Sequence, residues 1–215
     1  SGLTGSSVLD ARARDVFRQI AAVVFGGVSQ SPSPDLALNN LGALIAAHRF
    51  PEQLFEAMKE EGFRKLILTV CGTSPRLTRG LAKDELLLEL LASDSAVLAQ
   101  PWDGKRHRSE KLDWLKEREE LRAGIRHVLG ICSFRDYTTE LSRLADEAIA
   151  SAFEQECKKR GLRRPSLAVF ALGKYGTREL SVDADLDVLF VGERKKKGSD
   201  KLEKIASGII QKLSG

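Results

Sequence analysis

The sequence has no apolar run that approaches the roughly 18 residues of a membrane-spanning helix. Its first residues, from Ser1 to Ser7, are small and polar, without the basic start and apolar centre of a signal peptide. We therefore expect a protein with no membrane partner.

Cysteine is scarce: Cys71, Cys132 and Cys157 are the three present, and no two of them have C-x-x-C spacing. An odd number of widely spaced cysteines argues against a zinc site or a disulfide framework, and it fits a reducing cytoplasm. We predict that all three are buried and act as small hydrophobic residues.

Aromatic residues are also few, at 6% of the chain, while the formal net charge is +4. The positive excess gathers in the stretches 160–164 and 194–197, which are short runs typical of solvated loops. No aromatic residues are interleaved with these basic ones, so the stacking surface used for single-stranded nucleic acid is missing. A nucleic acid partner is therefore not expected.

Residues 8 to about 160 have the pattern of successive helices, with apolar residues at helical spacing. The first two apolar stripes consist of Val16, Phe17, Ile20, Val23 and Val24, and of Leu38, Leu41, Leu44 and Ile45. Capping residues or prolines mark further helix starts at Asp35, Pro51, Ser74-Pro75, Asp84 and either Ser133 or Asp136. Leu66, Leu68 and Val70 fit a strand or a helix, and we predict a helix because their neighbours are helical.

The pattern changes after Pro165. Two apolar runs of strand length, Ser166–Leu172 and Leu186–Val191, are bounded by glycine or proline, and a helical pattern follows at Lys201–Leu213. We predict an α+β protein, in which a helical bundle occupies residues 1–160. Residues 161–215 are then the first part of a small mixed-sheet domain: strand, glycine loop, strand and helix.

Two aspartates stand at the start of the second predicted strand. Asp185 and Asp187 are two residues apart, and successive strand side chains alternate faces, so both carboxylates point the same way. Neighbouring like charges disfavour joint ionisation unless a cation neutralises them. Mg²⁺ prefers a few carboxylates combined with substrate phosphate oxygens, and the pair therefore predicts a site for the Mg²⁺ of a nucleoside triphosphate.

A glycine-rich segment, Gly173 to Thr177, directly follows the first predicted strand. Gly173 and Gly176 allow backbone N–H groups to approach an anion closely. Thr177 adds a hydroxyl, and Lys174 and Arg178 add cationic donors for phosphate. These residues are the predicted phosphate-binding set.

Each of these two motifs alone is common, and neither is a Walker loop or a Rossmann fingerprint. Their order gives them meaning: a strand, a glycine-rich turn and an Asp-x-Asp strand suit phosphoryl or nucleotidyl transfer. One loop is available for the triphosphate, and one carboxylate pair for its metal.

The segment 171–190 resembles the glycine–aspartate signature of the DNA polymerase β nucleotidyltransferase superfamily. It is most similar to the glutamate–ammonia-ligase (glutamine synthetase) adenylyltransferase family, whose domains read roughly GKLGGREL and then SD(I/L)DL. The matching residues are Gly173, Lys174, Gly176, Arg178, Glu179, Leu180, Asp185 and Asp187. The resemblance extends over roughly residues 32–213 and includes the segments Cys71–Leu77, Arg118–Gly130 and Thr139–Asp146.

The resemblance implies transfer of AMP from ATP to a tyrosine of glutamine synthetase, or its removal by phosphorolysis, in the cytoplasm. It implies ATP as substrate, Mg²⁺ as cofactor, glutamine synthetase as partner, and the signal protein PII as a regulator acting through regions outside these residues. Such proteins have two catalytic halves of opposite direction. The segments Ser31–Asp35 and Cys71–Leu77 and the Asp185-Leu186-Asp187 form look more like the adenylylating half.

The chain departs from the family pattern at two places: Thr177 stands for the second glycine of the loop, and Asp183-Ala184 for a small or serine pair. A separate question concerns Glu119, Arg122 and Arg126, which share one face of a predicted helix. That face is either a solvated row of ion pairs or, as the resemblance favours, a border of the site where Arg122 or Arg126 holds nucleotide. Glu179 is a further candidate for a supporting role.

The other interpretation is non-enzymatic: an interaction module with a degenerate, nucleotide-sensing site. The discriminating feature is a third carboxylate, which the resembling families supply from a strand after the next helix. Besides Glu179 and Glu193, the nearby acidic substitutes are Asp183 and Asp200, and neither of these two is well placed. We therefore expect the 215-residue chain alone to bind Mg-ATP weakly and to turn over nothing.

Overall fold

The computed structural model describes residues 9–102, 112–163, 165–182, 184–193 and 199–213. Within these ranges the helices are α1 (Ala11–Ser29), α2 (Pro34–Ala47), α3 (Pro51–Ala57), α4 (Glu61–Thr73), α5 (Pro75–Lys83), α6 (Glu85–Ser93), a 3-10 helix (Ser95–Leu98), α7 (Leu112–Val128), α8 (Phe134–Lys159), α9 (Gly173–Gly176) and α10 (Ser199–Leu213). The strands are β1 (Leu167–Ala171) and β2 (Val188–Gly192). The chain divides into two compact units. The first unit consists of Ser1–Gln100 and Gly124–Ile131, and the second of Pro101–Ala123 and Cys132–Gly215.

Helix starts in the first unit follow the signals in the sequence. The hydroxyl of Ser74 accepts the Leu77 N–H at 3.2 Å where α5 begins, and a proline opens each of α2, α3 and α5. The prediction for Asp35 is wrong: Ser33 is the N-cap of α2 and Pro34 its first residue. Asp35 therefore lies inside the first turn, where its charge still suits the positive end of the helix.

The buried faces of α1 and α2 differ slightly from the predicted stripes. Val16, Ile20 and Val24 are buried, whereas Val23 is half exposed because the buried face of α1 advances in steps of four residues. Leu38 is likewise half exposed, because Ala37, Leu41 and Leu44 form the buried face of α2.

The segment that fitted either a strand or a helix is helical, as predicted. Leu66, Ile67, Leu68 and Val70 all lie in α4, and all four are buried. Because α4 is buried around most of its circumference, apolar residues occur at almost every position, and the alternation of a strand appears by accident.

The cysteines are close to the prediction. Cys71 and Cys157 are buried, but Cys132 is only half-buried. Burial raises the pKa of the Cys71 thiol to about 11, so this thiol stays protonated and unreactive at neutral pH.

Helix α8 is the centre of the second unit. The side chains of Ser133 and Asp136 form a reciprocal capping box at its start, which confirms Ser133 as the helix-initiating residue. Farther along, Leu141, Ala145 and Ile149 belong to a hydrophobic cluster that includes residues of α9 and the sheet. A second cluster joins the last turns of α8 to Ile205 and Ile209 of α10.

The two strands pair antiparallel, in a register that runs from Leu167 opposite Gly192 to Ala171 opposite Val188. The inner face of this sheet, including Val169 and Phe190, packs on the two clusters of the second unit. On the outer face the side chains are about half exposed; they include Phe170, Leu189 and Val191.

These elements confirm the α+β class, with helices followed by a small sheet. The packing units do not follow the predicted boundary near residue 160, because the strands are covered by α8. Division of the chain into domains at residue 160 stays a prediction. None of the described helices is both long and apolar enough to cross a membrane.

Candidate functional site

The glycine segment after β1 is a single helical turn, α9, rather than an irregular loop. Gly173 has a φ of +53°, a left-handed conformation that favours glycine. A Cβ atom at Gly173 would lie 2.7 Å from Oδ2 of Asp187, and one at Gly176 would lie 2.8 Å from the carbonyl oxygen of Ala171. Both glycines are therefore required by close approach, the first to a carboxylate and the second to backbone.

Asp185 and Asp187 lie just before β2, which begins at Val188. Both are exposed, while Ala184 and Leu186 pack against the cluster on α8. This alternation agrees with the predicted placement of both carboxylates on one face. Asp187 is already held in the ladder, because its carbonyl oxygen accepts the Leu172 N–H at 2.8 Å.

The structure thus brings together the two motifs, which are separated in the sequence by the seven residues 178–184. The carboxylate of Asp187 lies directly against Gly173, and Lys174 next to it is exposed. Two carboxylates and the turn form one outward-facing surface. Its charge pattern suits a divalent cation bound to a polyphosphate.

Thr177 and Glu179 interact with each other. The Thr177 hydroxyl lies 2.9 Å from Oε2 of Glu179 and 3.3 Å from the carbonyl oxygen of Gly173. A supporting role for Glu179 stays a prediction. Phosphate binding by Thr177 stays a prediction.

Arg178 is bound to Asp146 of α8, an acid outside the predicted set of site residues. Its Nη1 atom donates to Oδ2 of Asp146 at 2.5 Å, and the Tyr175 hydroxyl donates to Oδ1 at 2.7 Å. The only available signal was that Asp146 ends one of the family-like segments, Thr139–Asp146. Binding of phosphate by Arg178 stays a prediction, made for a side chain that is half exposed and paired.

A second contact from α8 holds the segment before the aspartates. The Val182 N–H donates to the Tyr137 hydroxyl at 3.0 Å. The two tyrosines of the sequence, Tyr137 and Tyr175, therefore connect α8 to either side of the candidate site.

The charged face of α7 is buried, so of the two alternatives left open by the sequence the solvated row of ion pairs is wrong. Arg122 is 3% exposed, and it contacts Glu119 at 2.7 Å and Glu140 of α8 at 2.8 Å. Oε1 of Glu140 also accepts the Trp102 N–H at 2.7 Å. Burial is possible because Glu140 of α8 pairs with Arg122 and itself accepts a hydrogen bond from the segment before α7. These partners lie outside α7, so its sequence alone does not reveal them.

Arg126 lies in the other unit, where its Nε atom donates to the carbonyl oxygen of Leu98 at 2.9 Å. Arg122 and Arg126 are one helical turn apart, but they bind different partners: Arg122 binds two carboxylates and Arg126 a backbone carbonyl oxygen. A nucleotide-holding role for either one stays a prediction.

A third carboxylate is not found in the described part of the chain, where no three metal-ligating side chains cluster. Asp183 lies outside the described residues. Glu193 is exposed at the far end of β2, where its N–H donates to the Ser166 carbonyl oxygen at 3.0 Å.

The contact between Gly173 and Asp187 gives a test. Gly173→Ala introduces a side chain at positive φ and also a Cβ that displaces the Asp187 carboxylate, so we expect it to weaken Mg-ATP binding about tenfold or more, in the range for disturbed metal ligands. Gly161→Ala is a matched control, because Gly161 has φ +65° but open space around its Cβ position. Both variants should lose about 1 kcal/mol of stability from the backbone. Equal Mg-ATP affinity of the two variants in titration calorimetry would show that the contact is unimportant.

Comparison with known proteins shows which family the sequence matches. The model of the family described as glutamate-ammonia ligase adenylyltransferase matches residues 64–211. Bifunctional glutamine synthetase adenylyltransferase/adenylyl-removing enzymes are similar over most of the chain. The one from Streptomyces coelicolor is 30% identical over 198 residues, and the one from Caulobacter vibrioides 27% identical over 192 residues, each match covering 83% of this chain.

These matches define a class, the adenylyltransferases. The chain belongs to the glutamate-ammonia ligase adenylyltransferase family. It spans about a fifth of the length of these relatives, 19% in both cases.

Proposed function

We propose that this chain carries the Mg-ATP-binding part of a site that transfers AMP to a tyrosine of glutamine synthetase. The observation that carries the proposal is the contact of Asp187 with Gly173, which puts a carboxylate pair beside the turn expected to hold phosphate. The names of the relatives support the acceptor and the reaction.

In this proposal Asp185 and Asp187 hold the magnesium of the bound nucleotide. Their exposure and shared face fit the donor set that Mg²⁺ prefers, a few carboxylates with phosphate oxygens completing the shell. The ion, when bound, neutralises charge on the triphosphate. Gly173 and Gly176 allow the chain to come close to the phosphates, and Lys174 and Thr177 donate to them.

The reaction itself forms a bond between the acceptor hydroxyl oxygen and the α-phosphorus of ATP and breaks the bond to pyrophosphate. Removal by phosphorolysis uses phosphate as the attacking group instead. We propose the adenylylating direction, supported by the likeness of segments 31–35, 71–77 and 185–187 to that half of the family. A cytoplasmic location, and regulation by PII through other regions, belong to the same proposal.

The test measures AMP transfer in both directions. Unmodified glutamine synthetase with Mg-ATP, and separately adenylylated glutamine synthetase with phosphate, are incubated with the 215-residue chain and with a chain extended to the length of the relatives. We expect label transfer in the first reaction by the extended chain, its loss in the matched Asp187→Asn variant, and no turnover by the 215-residue chain. Release of ADP in the second reaction alone would reverse the direction, because phosphate that attacks the protein-bound AMP becomes the second phosphate of ADP.

The alternative, a nucleotide-sensing interaction module, predicts a different result in the same experiment. It requires Mg-ATP binding without transfer in either direction, even in the extended chain. The buried ion-pair cluster around Arg122 favours a structural role for the helices in both cases.

A further inference from the structure

Asp146 uses both oxygens of its carboxylate to hold the turn that follows β1. Oδ1 accepts from the Tyr175 hydroxyl at 2.7 Å and Oδ2 from the Arg178 guanidinium at 2.5 Å. Asp146 projects from the middle of α8, a helix fixed on both sides of it by the buried residues Ala145 and Ile149. The turn is thereby attached to a helix that contributes buried residues to both hydrophobic clusters of its unit.

The turn needs such an attachment. α9 has four residues. A single helical turn is unstable by itself, because the backbone angles of several residues must be fixed while only one hydrogen bond is gained. Arg178 adopts a φ of +63°, which is unfavourable for a residue with a Cβ atom. Contacts from outside must therefore keep the turn and the residues after it in this conformation.

The two partners of Asp146 are of different kinds. Tyr175 is 4% exposed, and burial together with the Asp146 carboxylate raises the pKa of its hydroxyl, which therefore remains a donor at all ordinary pH values. Arg178 is half exposed and contributes a charge-assisted bond. One partner anchors the start of the turn to the core, and the other fixes the chain where it leaves the turn.

We propose that Asp146 is a positioning residue for nucleotide binding: through Tyr175 and Arg178 it fixes α9 so that Gly173 and Lys174 stay beside Asp187. The inference rests on the proposed function, because the quantity that this positioning serves is affinity for Mg-ATP. It assigns the guanidinium of Arg178 to the anchoring of the turn. Asp146 itself touches neither the nucleotide nor the metal.

Titration calorimetry with Mg-ATP on the 215-residue chain tests the proposal. Asp146→Ala is expected to weaken binding about tenfold, the effect of losing one charge-assisted hydrogen bond. The Mg-ATP affinity of Asp146→Asn should lie between that of the unmodified chain and that of Asp146→Ala, because the amide oxygen of the asparagine still accepts from Tyr175. Glu147→Ala, at the next and exposed position of α8, is the matched control and should bind as the unmodified chain does.

A double-mutant cycle separates anchoring from direct contact. If Arg178 acts through Asp146, the Asp146→Ala/Arg178→Ala variant should bind no more weakly than the weaker single variant. Tighter binding by Asp146→Ala would mean that Asp146 competes with phosphate for Arg178, and it would overturn the proposal. Unchanged binding by Asp146→Ala would do the same.

Hydrogen exchange without nucleotide gives a second readout. The N–H groups of Gly176, Thr177 and Glu179 donate to the carbonyl oxygens of Leu172, Gly173 and Lys174 at 2.9, 3.1 and 2.7 Å. In Asp146→Ala we expect these amides to exchange about tenfold faster, while those of α10 stay unchanged, because only the turn is released. A merely structural role would instead accelerate exchange throughout the unit.

The two readouts distinguish the failure of this inference from the failure of the proposed function. If the unmodified chain binds no Mg-ATP, the proposed function fails. Hydrogen exchange alone then decides whether Asp146 positions the turn. Unchanged exchange of the turn amides in Asp146→Ala would refute the positioning role. If Asp146→Ala does not fold, Asp146→Asn and Tyr175→Phe provide the same comparisons. Unchanged affinity and unchanged exchange in both of these variants would likewise refute it.

Discussion

Replacement of both Asp185 and Asp187 by Asn is expected to abolish Mg²⁺-dependent ATP binding while the fold is retained. The two side chains are exposed, so the change removes charge without disturbing the core. Ala184 and Leu186, which pack inward between and beside them, keep the segment in place. We expect the affinity to fall by more than about 100-fold, because even partners that merely orient a metal ligand contribute 10–100-fold.

The control for this experiment changes charge by the same amount elsewhere in the unit. Glu147 and Glu154 are exposed acids of α8, and the Glu147→Gln/Glu154→Gln variant should bind Mg-ATP as the unmodified chain does. Calorimetric titrations with and without Mg²⁺ measure the difference. Undiminished Mg-ATP affinity in the double aspartate variant would show that Asp185 and Asp187 do not bind the Mg²⁺ ion.

Arg122→Met is expected to lower the free energy of unfolding by about 3–5 kcal/mol, the effect of breaking a buried ion pair from one side. The side chains of Arg122, Glu119 and Glu140 are 4%, 7% and 5% exposed. Removal of the guanidinium leaves two buried carboxylates without the cation that lies between them. Methionine keeps most of the volume, so the loss reports on charge rather than on a cavity.

Arg18→Met is the matched control, because Arg18 also pairs with an acid three positions away, Asp15, but is 78% exposed. Exposed pairs of this kind contribute about 0.2–1 kcal/mol. Addition of Glu140→Gln to Arg122→Met should restore part of the stability, since the amide oxygen still accepts the Trp102 N–H. Urea denaturation of the four proteins gives the comparison, and an Arg122→Met effect no larger than that of Arg18→Met would contradict a buried ion pair.

The candidate site was predictable where local rules decide the structure. The alternation of exposed Asp185 and Asp187 with inward Ala184 and Leu186 follows from the two-residue period of an extended chain. Gly173 was singled out because glycine permits a close approach, and a Cβ atom at this position would lie 2.7 Å from Oδ2 of Asp187. The helices also followed their caps, as at Ser74 and Ser133.

The remaining features depend on residues far apart in the chain. Asp146 is 29 residues from Tyr175 and 32 from Arg178, so no local pattern joins them. Arg122 and Glu119 have the spacing of a surface ion pair, and it is Glu140, 18 residues away, that helps to bury them. Charge spacing along a helix shows which residues share a face, but not whether another element covers that face.

Helix α8 also limits where single-residue insertions and deletions can be tolerated in the chain. Tyr137 and Asp146 are nine residues apart on a rigid rod, a separation of about 14 Å along its axis. Insertion or deletion of one residue between them would rotate one contact by about 100° relative to the other. Length variation among descendants of this sequence should therefore fall outside the stretch between Tyr137 and Asp146, and a duplicated or deleted codon within that stretch should disconnect one side of the site from its support.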